Sequence, residues 1–121
     1  EVPLITRPRP TAYVIPKNLS DIEKILEVAH YNGISYTTLE PGVQMDLRQY
    51  KGDGKEAFLL DEKTYSFPEG AYLFPMNQPS GIILAMLMEP DFRMTDRNPI
   101  SLFQANYLAM EDIYRCEKSL K

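Results

Sequence analysis

The stretch FPEGAYLFPMNQPSGIILAMLMEP, Phe67 to Pro90, decides how this chain folds. Phe67-Pro68-Glu69-Gly70 opens it as a turn. Pro68 sets φ for the first corner, and Gly70 can take the positive φ that leads out. Ala71 to Phe74 is a short apolar strand, and Pro75, which has no N–H for a ladder, marks an edge or the end of pairing. Asn77-Gln78-Pro79-Ser80 reads as the mouth of a helix, with Asn77 or Gln78 as cap and Pro79 in the first turn. Ile82 to Met88 is apolar on every side, so the helix is expected to be buried rather than amphipathic. Pro90 stops it, and it is too short to cross a bilayer.

The remaining segments supply cover for that helix. Thr11 to Ile15 is a β-type run whose continuous apolar character predicts an interior strand, stopped by Pro16. Ser20-Asp21-Ile22-Glu23 has the form of a capping box. Ile22, Ile25, Leu26 and Ala29 recur at helical spacing, and Gly33 suits the left-handed position past the end, so a helix is predicted from about Asp21 to Asn32. Ile34 to Leu39 is a strand rich in Tyr and Thr. Val43, Met45 and Leu47 alternate with polar residues, as on a half-exposed antiparallel strand. Lys51 to Lys55 is a polar hairpin loop, and further short strands are expected at Ala57–Leu60 and Thr64–Phe67. Beyond Pro90 come a polar loop (Asp91 to Pro99), helical spacing from Pro99 to Met110 and a last strand at Asp112 to Cys116. Glu1 to Pro10, with three prolines, reads as a linker or extended lead-in, and residues 11–121 as one domain. The order gives an α+β class: a mainly antiparallel mixed sheet packed against two or three helices in a single compact domain.

With 121 residues, 44% hydrophobic and 25% charged, the chain is long enough for one core. A net charge of −4 argues against nucleic acid as a general partner, since phosphates need a basic patch. One cysteine excludes an intrachain disulfide and leaves the redox compartment unread. No stretch has the form of a signal peptide or a membrane span. A first residue that is Glu1 rather than Met implies processing or a piece of something longer.

Chemistry is sparse. A zinc site needs three or four converging ligands, and His30 and Cys116 are the lone residues of their types. His30, near the end of the first helix, suits the helix dipole there. Cys116, in a strand, reads as a small buried hydrophobe. No serine sits in a Gly-x-Ser-x-Gly turn, and the glycines of Lys51 to Lys55 precede a strand, not a helix, so neither a nucleophile nor a phosphate cradle is indicated. Glu89 is expected to pair structurally with an arginine such as Arg93 or Arg115. The best binding candidates are Asn77, Gln78 and Ser80, polar groups at a helix mouth able to hold an anion or a partner's carboxylate. Helix capping is the competing and commoner use of such residues.

Several of these motifs together resemble the module that follows the catalytic domain in many bacterial zinc carboxypeptidases of the carboxypeptidase A-like family. They are Arg9 to Pro16, His30 to Ile34, Phe67 to Tyr72, Met76 to Pro79, Met88-Glu89-Pro90 and Ile113-Tyr114-Arg115. Asp91 to Thr95 departs from the family's pattern, and the family's His-x-x-Glu and distant His have no counterpart. The resemblance implies a non-catalytic accessory domain of a secreted or periplasmic enzyme. It would dock on the peptidase domain or help hold a peptide or peptidoglycan-like substrate, with zinc confined to that other domain. Two alternatives stand beside it. One is a small acid–base enzyme, whose mark would be a Tyr or carboxylate of perturbed pKa in a cleft. The other is a module that adds a peptide to a sheet edge, whose mark would be an accessible strand beside Pro75.

Overall fold

The computed structural model describes residues 9–52, 57–89, 102 and 107–120. The secondary structure runs β1 (Ala12–Pro16), α1 (Ile22–Tyr31), β2 (Thr37–Leu39), β3 (Gln44–Gly52), β4 (Ala57–Leu59), β5 (Lys63–Ser66), β6 (Ala71–Pro75), α2 (Gly81–Met88), a single 3-10 turn (Met110–Asp112) and β7 (Tyr114–Cys116). The seven strands form one sheet in the order β2-β6-β1-β7-β3-β4, with β5 also on β3. Every one of these pairings is antiparallel, so the expected α+β class is present without a parallel component.

β1 sits in the middle of the sheet, between β6 and β7, and Ala12 to Ile15 are wholly buried. An unbroken apolar run is what a strand covered on both faces requires. Its odd positions, Tyr13 and Ile15, join a core under the helices with Ile25, Phe74, Leu84 and Leu87. Its even positions, Ala12 and Val14, join a second core with Leu47, Phe67, Leu73 and Cys116. That second cluster draws on β1, β2, β3, β5, β6 and β7, strands from both ends of the sheet. The sheet therefore curls around it, and a hydrogen bond from Gly42 N to Phe67 O at 3.2 Å links the two ends. The helices cover one face of the sheet and the curl covers the other.

β3 is longer than the alternation of Val43 to Arg48 suggests. Leu47 faces the curl and Tyr50 faces the helices. Its partner changes register, from Tyr50 opposite Leu59 to Leu47 opposite Lys63, so β4 and β5 form one strand broken by a bulge. Arg48 fills the bulge by donating from Nε to Leu60 O at 2.8 Å.

The predicted turn at Phe67 to Gly70 is present. Gly70 has φ +87°, and an added Cβ would lie 2.7 Å from Leu39 O. Gly33 has φ +70° just past α1, as the helix-stop reading requires. The capping box at Ser20 is not formed. Asp21 is the N-cap, and no side-chain cap bond is made, because Ile22 N bonds to Leu19 O in a turn instead. The helix mouth also differs from expectation. α2 begins at Gly81 with Ser80 as N-cap, which leaves Pro79 ahead of the first turn. Nor is α2 buried all round, since Ile82 is 61% exposed. One side of this apolar helix meets the sheet and the opposite side faces out. The expected strand at Ile34 to Leu39 is confined to Thr37–Leu39. The polar loop from Asp91, most of the helical spacing from Pro99 and residues 1–8 of the lead-in lie outside the described residues; Pro10 is buried.

Candidate functional site

Two polar clusters stand out. The first is closed to solvent, beneath the helices. Tyr13 comes from β1, Tyr50 from β3, Arg115 from β7, and Glu89 from the residue that ends α2. Glu89 Oε1 accepts from the Tyr50 hydroxyl at 2.5 Å. Its Oε2 accepts from the Tyr13 hydroxyl at 2.5 Å and from Arg115 Nη1 at 3.1 Å. Arg115 Nη1 also reaches the Tyr50 oxygen at 3.1 Å, and Nε donates to Glu117 at 2.9 Å. Glu117 in turn lies 3.6 Å from Arg48, which is directly opposite Arg115 across the β3–β7 pair. Two cations face to face on adjacent strands repel, and Glu117 between them offsets that.

Glu89 and Arg115 are only 2% and 1% exposed. A buried carboxylate and guanidinium are tolerated because each has its partner and the remaining lone pairs are filled. Burial, reinforced by the negative charge of Glu89, pushes the Tyr13 and Tyr50 phenols well above their ordinary range. Burial opposes the charge of Arg115, but Tyr50 and Glu89 outweigh it, and its pKa is raised. These are the perturbed tyrosines that an acid–base enzyme would show, yet both are wholly buried and both hydroxyls are spent on Glu89. A general base needs a proton within reach on a substrate. The arrangement ties the end of α2 to three strands instead, with Glu89 on Arg115 as expected and Arg93 outside the described residues.

The second cluster holds the residues that the sequence offered as a binding site. Asn77 is exposed. Gln78 and Ser80 turn toward the loop after α1. Ser80 Oγ donates to Gly33 O at 3.2 Å, with Asn32 O at 3.3 Å, so it serves the carbonyls of the turn just past α1 rather than the start of its own helix. Gln78 Oε1 accepts from Ser35 N at 2.7 Å, while its Nε2 donates to Ser35 O at 3.0 Å and Pro75 O at 2.7 Å. The register of β2 on β6, Thr37 opposite Leu73, carried two residues further puts Ser35 opposite Pro75. Pro75 has no N–H to answer Ser35 O. The amide of Gln78 enters the ladder and supplies the missing donor. Around this junction Tyr31 is 88% exposed, and Tyr36 packs on Tyr72 and Phe74 with centroids 5.4 and 5.3 Å away.

His30 is exposed on the last turn of α1. Cys116 is buried, and burial raises its thiol pKa, the setting of an inert cysteine. Among the described residues no group of three His, Cys, Asp or Glu side chains could hold a metal, and no helix is long and apolar enough to cross a membrane.

No protein-family model and no solved structure matches the chain. It is similar to a stretch of Carboxypeptidase 2 from Trichophyton rubrum, 31% identical over 100 residues. That match takes in 74% of this chain and 19% of the fungal protein, so the chain spans about a fifth of its relative's length.

Proposed function

We propose that this domain is a non-catalytic part of a larger carboxypeptidase polypeptide. The observation that carries the proposal is the similarity to a limited region of a fungal carboxypeptidase. In this reading the zinc and the catalytic groups belong to the peptidase region, and the whole protein is exported, secreted or periplasmic. The domain docks on the peptidase region or helps to hold a peptide or peptidoglycan-like substrate near it. The exposed Ile82 and Tyr31 support docking: each lies within two residues of the Ser80–Asn32 contact, at the end of the molecule where α1 stops and α2 starts. Apolar side chains grouped at such a junction are a natural seat for a neighbouring domain. Asn77 lies beside them and is the exposed polar group of the three read from the sequence.

The gene's full reading frame is the first test. A peptidase region with His-x-x-Glu and a later His in the same frame is the expected result. Deletion of residues 11–121 from that full polypeptide is then expected to lower its thermal stability or its release of C-terminal residues from peptides. A frame without a peptidase region, or a full enzyme indifferent to the deletion in both respects, overturns the proposal.

A further inference from the structure

Among the described residues β2 forms one edge of the sheet, and that edge has a defined hydrogen-bonding face. Met76 N donates to Thr11 O at 2.9 Å and Lys17 N to Gly70 O at 3.1 Å, both in the register of β1 on β6. The even residues of β6 therefore exchange bonds with β1, and alternation turns its odd residues, Ala71, Leu73 and Pro75, toward β2. Their register partners on β2 are Leu39, Thr37 and, by extension, Ser35. The capture of Ser35 N and O by Gln78 on that side agrees with this parity. By the same alternation the N–H and C=O groups of Tyr36 and Thr38 point away from the sheet. Among the described residues no strand pairs β2 there, because β2 ends the sheet order.

Natural edges are blunted by lysine, proline, bulges or shortness. Tyr36 to Leu39 contains no lysine, proline or bulge, and only its length limits it. Two threonines with high strand propensity carry the exposed edge, and the Tyr36 ring, held against Tyr72 and Phe74, is still partly exposed beside it. From this geometry we infer that β2 accepts a separate extended peptide as an added strand, bonded through the main chains of Tyr36 and Thr38, with a β-branched or aromatic peptide side chain on the Tyr36 ring. A second copy of the chain is the poorer occupant. A three-residue strand is about 10 Å long, whereas stable protein–protein contacts bury about 1,200–2,000 Å². Each copy would also bring a net charge of −4. The inference rests on the edge geometry and is independent of the carboxypeptidase reading.

Amide hydrogen exchange by NMR on the 121-residue chain tests it, with a capped peptide of alternating threonine and valine, about seven residues long, as probe. The Tyr36 and Thr38 amides exchange fast without peptide. With peptide at ten times its Kd they slow about tenfold, while Thr37, bonded inward, does not change. Thr38→Pro removes one outward N–H and no bond to β6, so it is expected to abolish protection at Tyr36 while Thr37 stays protected. Peptide-independent protection that grows with protein concentration overturns the inference in favour of self-pairing. No protection at millimolar peptide, or undiminished protection in Thr38→Pro, overturns it outright.

Discussion

The two faces of the sheet are held by different physics. Under the helices, Glu89, Arg115, Tyr13 and Tyr50 form a closed polar cluster within an apolar layer. Inside the curl, Ala12, Val14, Leu47, Phe67, Leu73 and Cys116 form a layer with no ion pair within it. The polar cluster is directional and fails when a single partner is lost. The apolar layer is non-directional and responds to volume. The comparison teaches where this domain is specified and where it is merely filled.

Removing Glu89 is the largest expected effect. Glu89→Ala takes from Arg115 Nη1 its buried carboxylate, leaves the Tyr13 and Tyr50 hydroxyls without that acceptor, keeps the half-exposed Glu117 on Nε, and is expected to cost about 3–5 kcal/mol. Replacing both members, Glu89→Leu with Arg115→Met, is expected to cost less than the single change, because no charge is left unpaired. Urea unfolding measures both, and a single change below 1 kcal/mol would remove the contrast between the faces. Inside the curl, Leu47→Ala is expected to cost about 2–5 kcal/mol in proportion to the cavity it leaves. Leu47→Met, which keeps the volume, is expected to cost under about 1.5 kcal/mol. Equal losses in the two Leu47 variants would mean that this layer, too, is directional.

Alkaline pH sharpens the comparison, because the two fully buried phenols on Glu89 lie on the helix-covered face, whereas the curl side has Tyr114, a phenol only partly buried and also raised by burial. The pKa values of Tyr13 and Tyr50 are raised in the fold above the ordinary value of 10.0. The folded chain therefore holds these protons more tightly than the unfolded chain. The resulting stabilisation is complete below about pH 10 and is lost as pH rises past it, by about 1.4 kcal/mol per pH unit for each tyrosine. Thermal unfolding between pH 9 and 11 reads the slope, and Tyr13→Phe is expected to remove one tyrosine's share of it, with Tyr50 and the partly buried Tyr114 of the curl side, whose phenol burial also raises, carrying the rest. An unchanged slope in that variant would place the titration elsewhere. Among the truncations to alanine, the smallest effect is expected at Gln78. Its three bonds are partly exposed, and Gln78→Ala is expected to cost about 1–2 kcal/mol, with faster amide exchange at Ser35. If Ser35 exchanges no faster, the ladder does not depend on the inserted amide.

Much of the frame was legible in the sequence because it depends on local pattern. The helical spacing of Ile22, Ile25 and Ala29, Gly33 beyond them, the turn at Gly70 and the unbroken run Ala12 to Ile15 each state a backbone conformation or a degree of burial. Errors came where a side chain's partner lies far along the chain. Gln78 and Ser80 look like caps for the helix that follows them, but their acceptors and donors are Ser35, Pro75, Asn32 and Gly33. Pro75 carried half of the signal, since a proline in a central strand leaves a carbonyl across the ladder without a donor. The distance from Gln78 to Ser35 in the chain hid the other half. The Glu89–Arg115 pair was anticipated, whereas Tyr13 and Tyr50 as its companions were not, because nothing local distinguishes a core tyrosine that donates from one that only packs.

By itself the sequence determined the element types, the turns and the α+β class, since periodicity, proline and glycine act within a few residues. The tertiary structure alone decided that the sheet curls, that α2 leaves Ile82 outward, that Glu89 gathers two tyrosines and an arginine, and that, among the described residues, β2 ends the sheet with the main-chain groups of Tyr36 and Thr38 turned outward. Each of those depends on strand order and register, which are set by the free energy of contacts between distant segments and leave no mark on any one of them.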